Sequence, residues 1–503
     1  MSPARRHRLL CVIASGLAVA AAGCRRDQPQ QLNVAVIGEP PLSIGDPIIP
    51  PTSAAQATLR LNLAQGLVRL DAAGQVEPGL AERWNVSDDG LSYIFRLVTG
   101  EWPDGRKIMA RDMARILNRQ LRANRDNPTR DALGVVEEVV AMTDRVIEIR
   151  LRVPRSNLLQ LLAQPEYALI SEGSGSGPFM LRTPKNNEVE STDKNAPVRL
   201  TRRLRGIDGE AGEREDVRVA AMSAASAIAA FRSDRLDLVL GGTIADLPLA
   251  TRAKLGRGAL RFDPASGLFG LVPARADGPL AEPEVRRLLS RAIDRTALIA
   301  ALGVPCLGPR ATLLQAGLEG LSEPVQPAWL AQPIADRRAG LASEAQRLFG
   351  TAERPRLTVA LPAGPGGDLI FTRLFADWGA IGIGVERAEE GKRADLRLID
   401  AVAPSNSPAW FLRRFRCGQV AVCIADADVM LQSARDAPVA AQRAGLFGEV
   451  ATLMDEAALF IPLAAPIRWS LVGDRAPAFQ ENRFAQHPLA GIMQRATARG
   501  YTP

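Results

Sequence analysis

Leu357-Thr358-Val359-Ala360-Leu361 reads as a strand, and the residues after it settle the architecture. From Asp368 onward, Phe371, Leu374, Phe375, Trp378 and Ile381 recur at helical spacing. Gly382-Ile383-Gly384-Val385-Glu386 and Leu396-Arg397-Leu398-Ile399 then read as two further strands. Strand–helix–strand over residues 356–400 calls for a crossover between parallel strands, and such crossovers are right-handed. The fold class is therefore α/β. Far upstream, Leu32-Asn33-Val34-Ala35-Val36-Ile37 is a near-continuous apolar strand, as expected of a sheet covered on both faces. Two α/β units distant in sequence imply two lobes.

Between them the chain reads differently. Residues 58 to 68 are expected to be helical. Asp71-Ala72-Ala73-Gly74 and Ser87-Asp88-Asp89-Gly90 read as hairpin turns, Asp-Gly being the strongest such dipeptide. After the second turn Leu91, Tyr93, Phe95 and Leu97 form one apolar face of a strand. Met109, Met113, Ile116, Leu117 and Leu121 form the face of a helix, and 148–153 is another alternating strand. Gly173-Ser174-Gly175-Ser176-Gly177-Pro178 is a flexible break before a strand at 179–181. Residues 184–216 are charged and polar, and are expected to be surface hairpins and loops. Helices are expected at 224–231 and over 284–302, the latter stopped by Gly303.

The N-terminus is a sorting signal. Arg5-Arg6-His7-Arg8 is followed by the apolar run from Leu9 to Ala22 and by Ala21-Ala22-Gly23-Cys24. Fourteen residues of helix rise only about 21 Å, short of a roughly 30 Å hydrocarbon core, so a leader peptide is favoured over a membrane span. Residues 25–31 read as a polar tether. No later stretch is apolar for 18 residues.

Composition narrows the function. The chain has 503 residues, 47% hydrophobic and 23% charged, as a folded globular protein does. Removing a leader with Arg5, Arg6 and Arg8 reduces the net charge from +7 to +4, too weak a field for a dedicated nucleic-acid binder. The two histidines are His7, in the leader, and His487, which excludes a histidine metal site and disfavours a catalytic triad. Gly364-Pro365-Gly366-Gly367 lacks the Gly-Lys-Ser/Thr ending of a phosphate loop and reads as a loop before a helix. Of the five cysteines, Cys11 leaves with the leader. Cys417 and Cys423 can close a small loop, Cys306 can pair with either, or all three can remain thiols.

Several stretches together resemble one family. Gly66-Leu67-Val68-Arg69-Leu70-Asp71, then Pro78-Gly79-Leu80-Ala81-Glu82-Arg83-Trp84 running on to Leu97, Trp102-Pro103-Asp104-Gly105 and Ala110-Arg111-Asp112-Met113, are similar to the signature of the oligopeptide/dipeptide-binding (family 5) periplasmic solute-binding proteins of ABC transporters. Ser176-Gly177-Pro178-Phe179, Ala292-Ile293-Asp294-Arg295 and Phe460-Ile461-Pro462-Leu463 follow in the same order. Cys24 after small residues resembles a bacterial lipobox, which implies a lipidated N-terminal cysteine. Two departures stand out. Met109 takes the place of a capping Thr, and 400–412 lacks the Tyr of the family's Trp-x-x-Asp-Tyr-Pro-Asp-Pro loop.

The resemblance implies a two-lobe periplasmic binding protein, type II-like, with an extra domain inserted in the first lobe. The expected division is a signal peptide at 1–23, a tether at 24–31, lobe I from 32–50, 178–264 and 470–503, an inserted domain at 51–177 and lobe II at 265–469. It implies a monomeric, lipid-anchored periplasmic protein that captures peptides or peptide-like solutes by hinge closure and delivers them to inner-membrane permease subunits, with no cofactor, metal or catalytic residue. A non-peptide solute such as an opine, sugar or chelate is the alternative, as is a non-transport envelope protein that keeps the fold. Asp400, in the region matching the acidic loop, is the candidate partner for a ligand ammonium. Trp410 is the candidate stacking residue, and Ser174, Ser176 and Gly177 are candidates for hydrogen bonds at the hinge.

Overall fold

The computed structural model describes residues 31–40, 42–45, 51–123, 133–171, 173–182, 196–205, 211–350 and 355–493. The leader, Cys24 and most of the tether lie outside the described residues.

The first sheet has seven strands in the order Met180–Leu181, Val198–Arg205, Ala211–Met222, Gln31–Ile37, Leu238–Gly242, Trp469–Val472 and Leu260–Phe262. Strand Gln31–Ile37 is parallel to both neighbours. Its near-continuous apolar run is explained by burial on both faces. Leu32, Val34 and Val36 enter one core with Leu59, Phe179 and Leu200, while Ala35 enters another with Val239, Ile244 and Leu247. Helix Ala54–Leu63 begins four residues before the expected start because Ser53 caps it, accepting from the Gln56 amide. Such a cap contributes about 1 kcal/mol. Although it falls within the span assigned to the inserted unit, this helix packs on the first sheet through Ala55 and Leu59.

The second sheet has five strands in the order Gly384–Glu389, Arg356–Leu361, Leu396–Val402, Gly267–Pro273 and Ile461–Ala464. Arg356–Leu361 pairs in parallel with both neighbours, as the crossover required. The connecting helix, Pro365–Gly379, starts at a proline, whose fixed φ suits a first turn. Its buried face is Ile370, Leu374 and Trp378. Phe375, expected inward, is 57% exposed. One residue is about 100° of helix, so 374 and 375 do not share a face. On strand Gly267–Pro273, Phe269 and Leu271 face the core shared with the first sheet, while Leu268 and Val272 face Trp410, Phe411 and Phe415.

The segment after the first helix builds a four-stranded antiparallel sheet, in the order Ala81–Val86, Ser92–Leu97, Val146–Leu151 and Val136–Thr143. Tyr93, Phe95 and Leu97 bury with Met113, Ile116 and Leu117 of helix Ala110–Ala123. The hairpins and loops expected over 184–216 are met in part by a long antiparallel ribbon, Val198–Arg205 with Ala211–Met222, which runs on past 216. Val198, Leu200, Val217 and Val219 pack toward the core, and the arginines between them gave the stretch its polar look.

Candidate functional site

Pairing register fixes where the two sheets meet. In the first sheet Ile37, Met222 and Gly242 end parallel strands, and Gly242 pairs with Trp469. In the second, Leu361, Glu389 and Val402 end parallel strands, and Val402 pairs with Gly267. Two chain crossings, 263–266 and 465–468, therefore join the carboxyl-end edges of the two sheets. In α/β sheets that edge is where ligands bind.

The crossings are tied together. Asp263 N–H donates to Arg468 O at 3.0 Å, and Ala403 N–H donates to Ser266 O at 2.7 Å. Gln315 Nε2 donates to Ser266 Oγ, and the Gly267 amide donates to Gln315 Oε1. Asp400 belongs to this assembly. Arg468 Nη1 donates to its carboxylate at 2.8 Å and Nη2 to its carbonyl at 3.3 Å. The two side chains, Asp400 and Arg468, are 17% and 18% exposed. Burial pushes the Asp400 carboxyl up and Arg468 opposes that, leaving it above the usual range. The residue expected to meet a ligand ammonium thus already holds a crossing. His487 contributes alongside it, with Nε2 3.2 Å from Asp263 Oδ2.

Beyond Asp400, the loop that replaces the family's acidic stretch is held by neutral groups. Asn157 Nδ2 donates to Ser405 Oγ at 3.3 Å, Gln164 Nε2 to Pro404 O at 2.8 Å, and Asn406 N–H to Gln160 Oε1 at 3.4 Å. Gln486 Nε2 donates to Gln164 Oε1 at 2.6 Å, and Gln486 Oε1 is buried without a partner among the described residues. Three parts of the chain thus converge on an uncharged, hydrogen-bonding junction.

Backbone contact joins the lobes at another point. Gly364 to Gly367, read from sequence as a loop before a helix, lies against the turn Ile244–Asp246 that follows strand Leu238–Gly242. A Cβ on Gly366 would stand 1.7 Å from Ile244 O, so any side chain there forces the two segments apart. Asp246, in that turn, has a carboxyl pushed up by burial and no side-chain partner among the described residues. Sequence reasoning missed it. Its only signal was an acid just past a buried strand's carboxyl end.

The other expected site residues lie apart. Trp410 is 4% exposed, edge-on to Phe411, with the Arg414 guanidinium 4.3 Å from its ring centroid. Ser176 presents its carbonyl to Gln65 Nε2. Gly177 N–H donates to Leu63 O, and a Cβ there would meet Leu63 C at 2.4 Å. Ser174 lies in a two-residue strand paired with Ile170–Ser171. The hydrogen bonds of Asp400 run to Arg468 and to none of these four. Cys417 and Cys423 are joined by a disulfide, and Cys306 is an exposed free thiol. Among the described residues no group of three or more His, Cys, Asp or Glu could hold a metal, and no helix is long and apolar enough to cross a membrane.

Comparison with known proteins gives a consistent answer. The sequence model of "Bacterial extracellular solute-binding proteins, family 5 Middle" matches residues 75–388. A probable di/tripeptide-binding protein 5 of Pseudomonas aeruginosa is 24% identical, over 88% of this chain and 91% of that protein. Haemophilus influenzae OppA, in complex with RPPGFSPFR, superposes with a TM-score of 0.76 at 16% identity, over 93% of this chain and 100% of its own. NikA from Brucella suis, in complex with Fe(III)-EDTA, superposes with a TM-score of 0.72 at 18% identity, over 91% and 98%.

Proposed function

This chain belongs to the bacterial extracellular solute-binding proteins of family 5, and on that basis we propose that it captures a small solute between its two α/β lobes for an ABC uptake transporter. The relatives it matches are binding proteins, not enzymes. The observation that carries the reading is the pair of crossings linking the carboxyl-end edges of both sheets. Two short connections permit rotation of one lobe against the other. A solute that touches both lobes only in the closed form stabilises that form by its differential affinity. Closure then marks the loaded protein for the permease. Cys24, acylated after removal of 1–23, moors it at the envelope from the periplasmic side, as a monomer. The chain divides into lobe I, an inserted domain and lobe II as expected, except that helix Ala54–Leu63 goes with lobe I, on whose sheet it packs.

The solute is a peptide or peptide-like molecule, as the named relatives suggest. Asp246 is the acid best placed for a cationic end, since Asp400 is engaged by Arg468. Ser174, Ser176 and Gly177 pack beside the first helix, and Trp410 stiffens the second lobe from within.

One observation favours a second reading. Ala403 to Ser407 carries no acid, and the side chains that hold it are amides. A solute without a free ammonium, such as an opine, sugar or chelate, suits that junction better. Thermal-shift screening of the processed chain against di- and tripeptides, opines, sugars and metal chelates tests both. Stabilisation by peptides supports the first, by uncharged or chelate solutes the second, and by none of them contradicts capture.

A further inference from the structure

A separate cavity lies between the inserted unit and the second lobe. It has a volume of about 50 Å³, and its lining includes Arg155, Arg413, Arg435 and Arg443, with Glu319 as the one acid among the described residues. A site of that size has room for roughly one small oxyanion or a few waters, a single water needing about 10–15 Å³. No residue of either crossing lines it.

Four guanidinium groups around so small a space repel one another, and partial burial weakens the screening that would relieve them. Burial, then Arg443 and Arg413 beside it, pull Arg155 down to about 10. Its own hydrogen bonds go to carbonyls, Pro154 O at 3.0 Å and Arg435 O at 2.6 Å, not to a carboxylate. Glu319 offsets one charge and is held by the Ser156 hydroxyl, and Asp436 offsets part of Arg435 from behind. Arg155 and Arg443 both donate to carbonyls, so positive charge is left over inside the cavity.

The backbone adds to it. Helix Ala440–Glu456 has 17 residues and begins at Val439, whose side chain cannot cap it. Its first turn, through Ala440, Arg443 and Ala444, faces the cavity. Uncapped N–H groups at the positive end of a long helix attract anions, and here they coincide with the guanidinium cluster. Ser407 supplies a further hydroxyl in the lining. Guanidinium groups match planar carboxylate and tetrahedral phosphate or sulfate alike.

We propose that this cavity is a binding site for a small oxyanion, held between Arg155 of the inserted unit and Arg413 and Arg443 of the second lobe. The bound anion bridges the two units and fixes their spacing, next to the amide junction with which the cavity shares Asn157 and Ser407. Isothermal titration of the processed chain with sodium phosphate, sodium sulfate and sodium succinate, at constant ionic strength in chloride, tests it. Saturable binding of at least one anion is expected, weakened about tenfold or more in Arg443→Gln and retained in Gly366→Ala, which alters the crevice only. Arg443 is partly exposed with one hydrogen bond to Ala437 O, so the variant is expected to fold; Arg435→Gln is the second variant should it not. Phosphate and sulfate bound with succinate silent assigns a tetrahedral anion, and the reverse assigns a carboxylate. In crystals soaked in selenate or grown with succinate, density bounded by Arg155, Arg413 and Arg443 is expected. Heats that never saturate, or binding unchanged by both arginine substitutions, overturn the proposal.

Discussion

At Asp400 a largely buried carboxylate meets Arg468 at 2.8 Å, whereas from Ala403 to Ser407 the chain is held by the side-chain amides of Asn157, Gln160 and Gln164. The two regions are nearly consecutive in sequence and differ in what they cost to disturb. Removing one partner of a buried ion pair strands the other charge, which is expensive and all-or-none. Removing one amide from a junction of several leaves neighbours that can rearrange or admit water. The first arrangement suits a crossing that must keep its place while lobes turn about it. The second suits a surface that must part and re-form.

The ion pair should show the greater loss. Arg468→Ala leaves Asp400 buried alone and should cost about 3 kcal/mol, read from urea unfolding. The loss should be smaller at pH 4 than at pH 8. An acid whose folded value lies above its unfolded one keeps its stability contribution below about pH 4 and loses it as pH rises. Equal losses at both pH values would place the effect in packing. Reducing the Cys417–Cys423 bridge, or Cys417→Ser, should cost about 2 kcal/mol, as the opening of a short closed loop does. It should leave the crossings unaffected.

The amide junction is probed by Gln164→Leu. This change strips Pro404 O and Gln486 of a partner and should cost about 1–2 kcal/mol. Hydrogen exchange should speed up at 403–407 and not at 263–266. The most modest change belongs to Asp455, a carboxyl that burial pushes up to about 7 while it accepts from the Leu313 amide. The same sign holds: stability falls as pH rises from about 4 to 7. Asp455→Asn should flatten that slope and raise the Tm at pH 8 by about 2 °C. An unchanged slope would show that Asp455 does not titrate in this window.

The scaffold was legible from the sequence where patterns are local. The parallel crossover at 356–400, the hairpin turns at 71–74 and 87–90 and the doubly buried strand at 31–37 all follow from spacing and turn chemistry. Phe375 pointed the wrong way because a one-residue phase error on a helix is about 100°. Hairpins were expected over 184–216, but the arginines that alternate along the 198–222 ribbon hid its length and its buried face. The site was less legible because its pairings are distant: Arg468 reaches Asp400 across 68 residues, and Asn157 reaches Ser405 across 248. No periodicity reports such contacts. Gly366 is instructive as well. Its neighbours looked like a phosphate loop without its lysine, and the glycine is there because Ile244 O leaves no room for a Cβ.

Closure of the two lobes on a solute is the central claim, and small-angle X-ray scattering measures it most directly. The processed chain would be titrated with whichever solute most raises its Tm, beside the Gly366→Ala variant. The account expects the radius of gyration to fall on saturation in the parent chain, and less in Gly366→Ala, whose added methyl props apart the Ile244 contact. A radius that stays constant with the solute fully bound would contradict it.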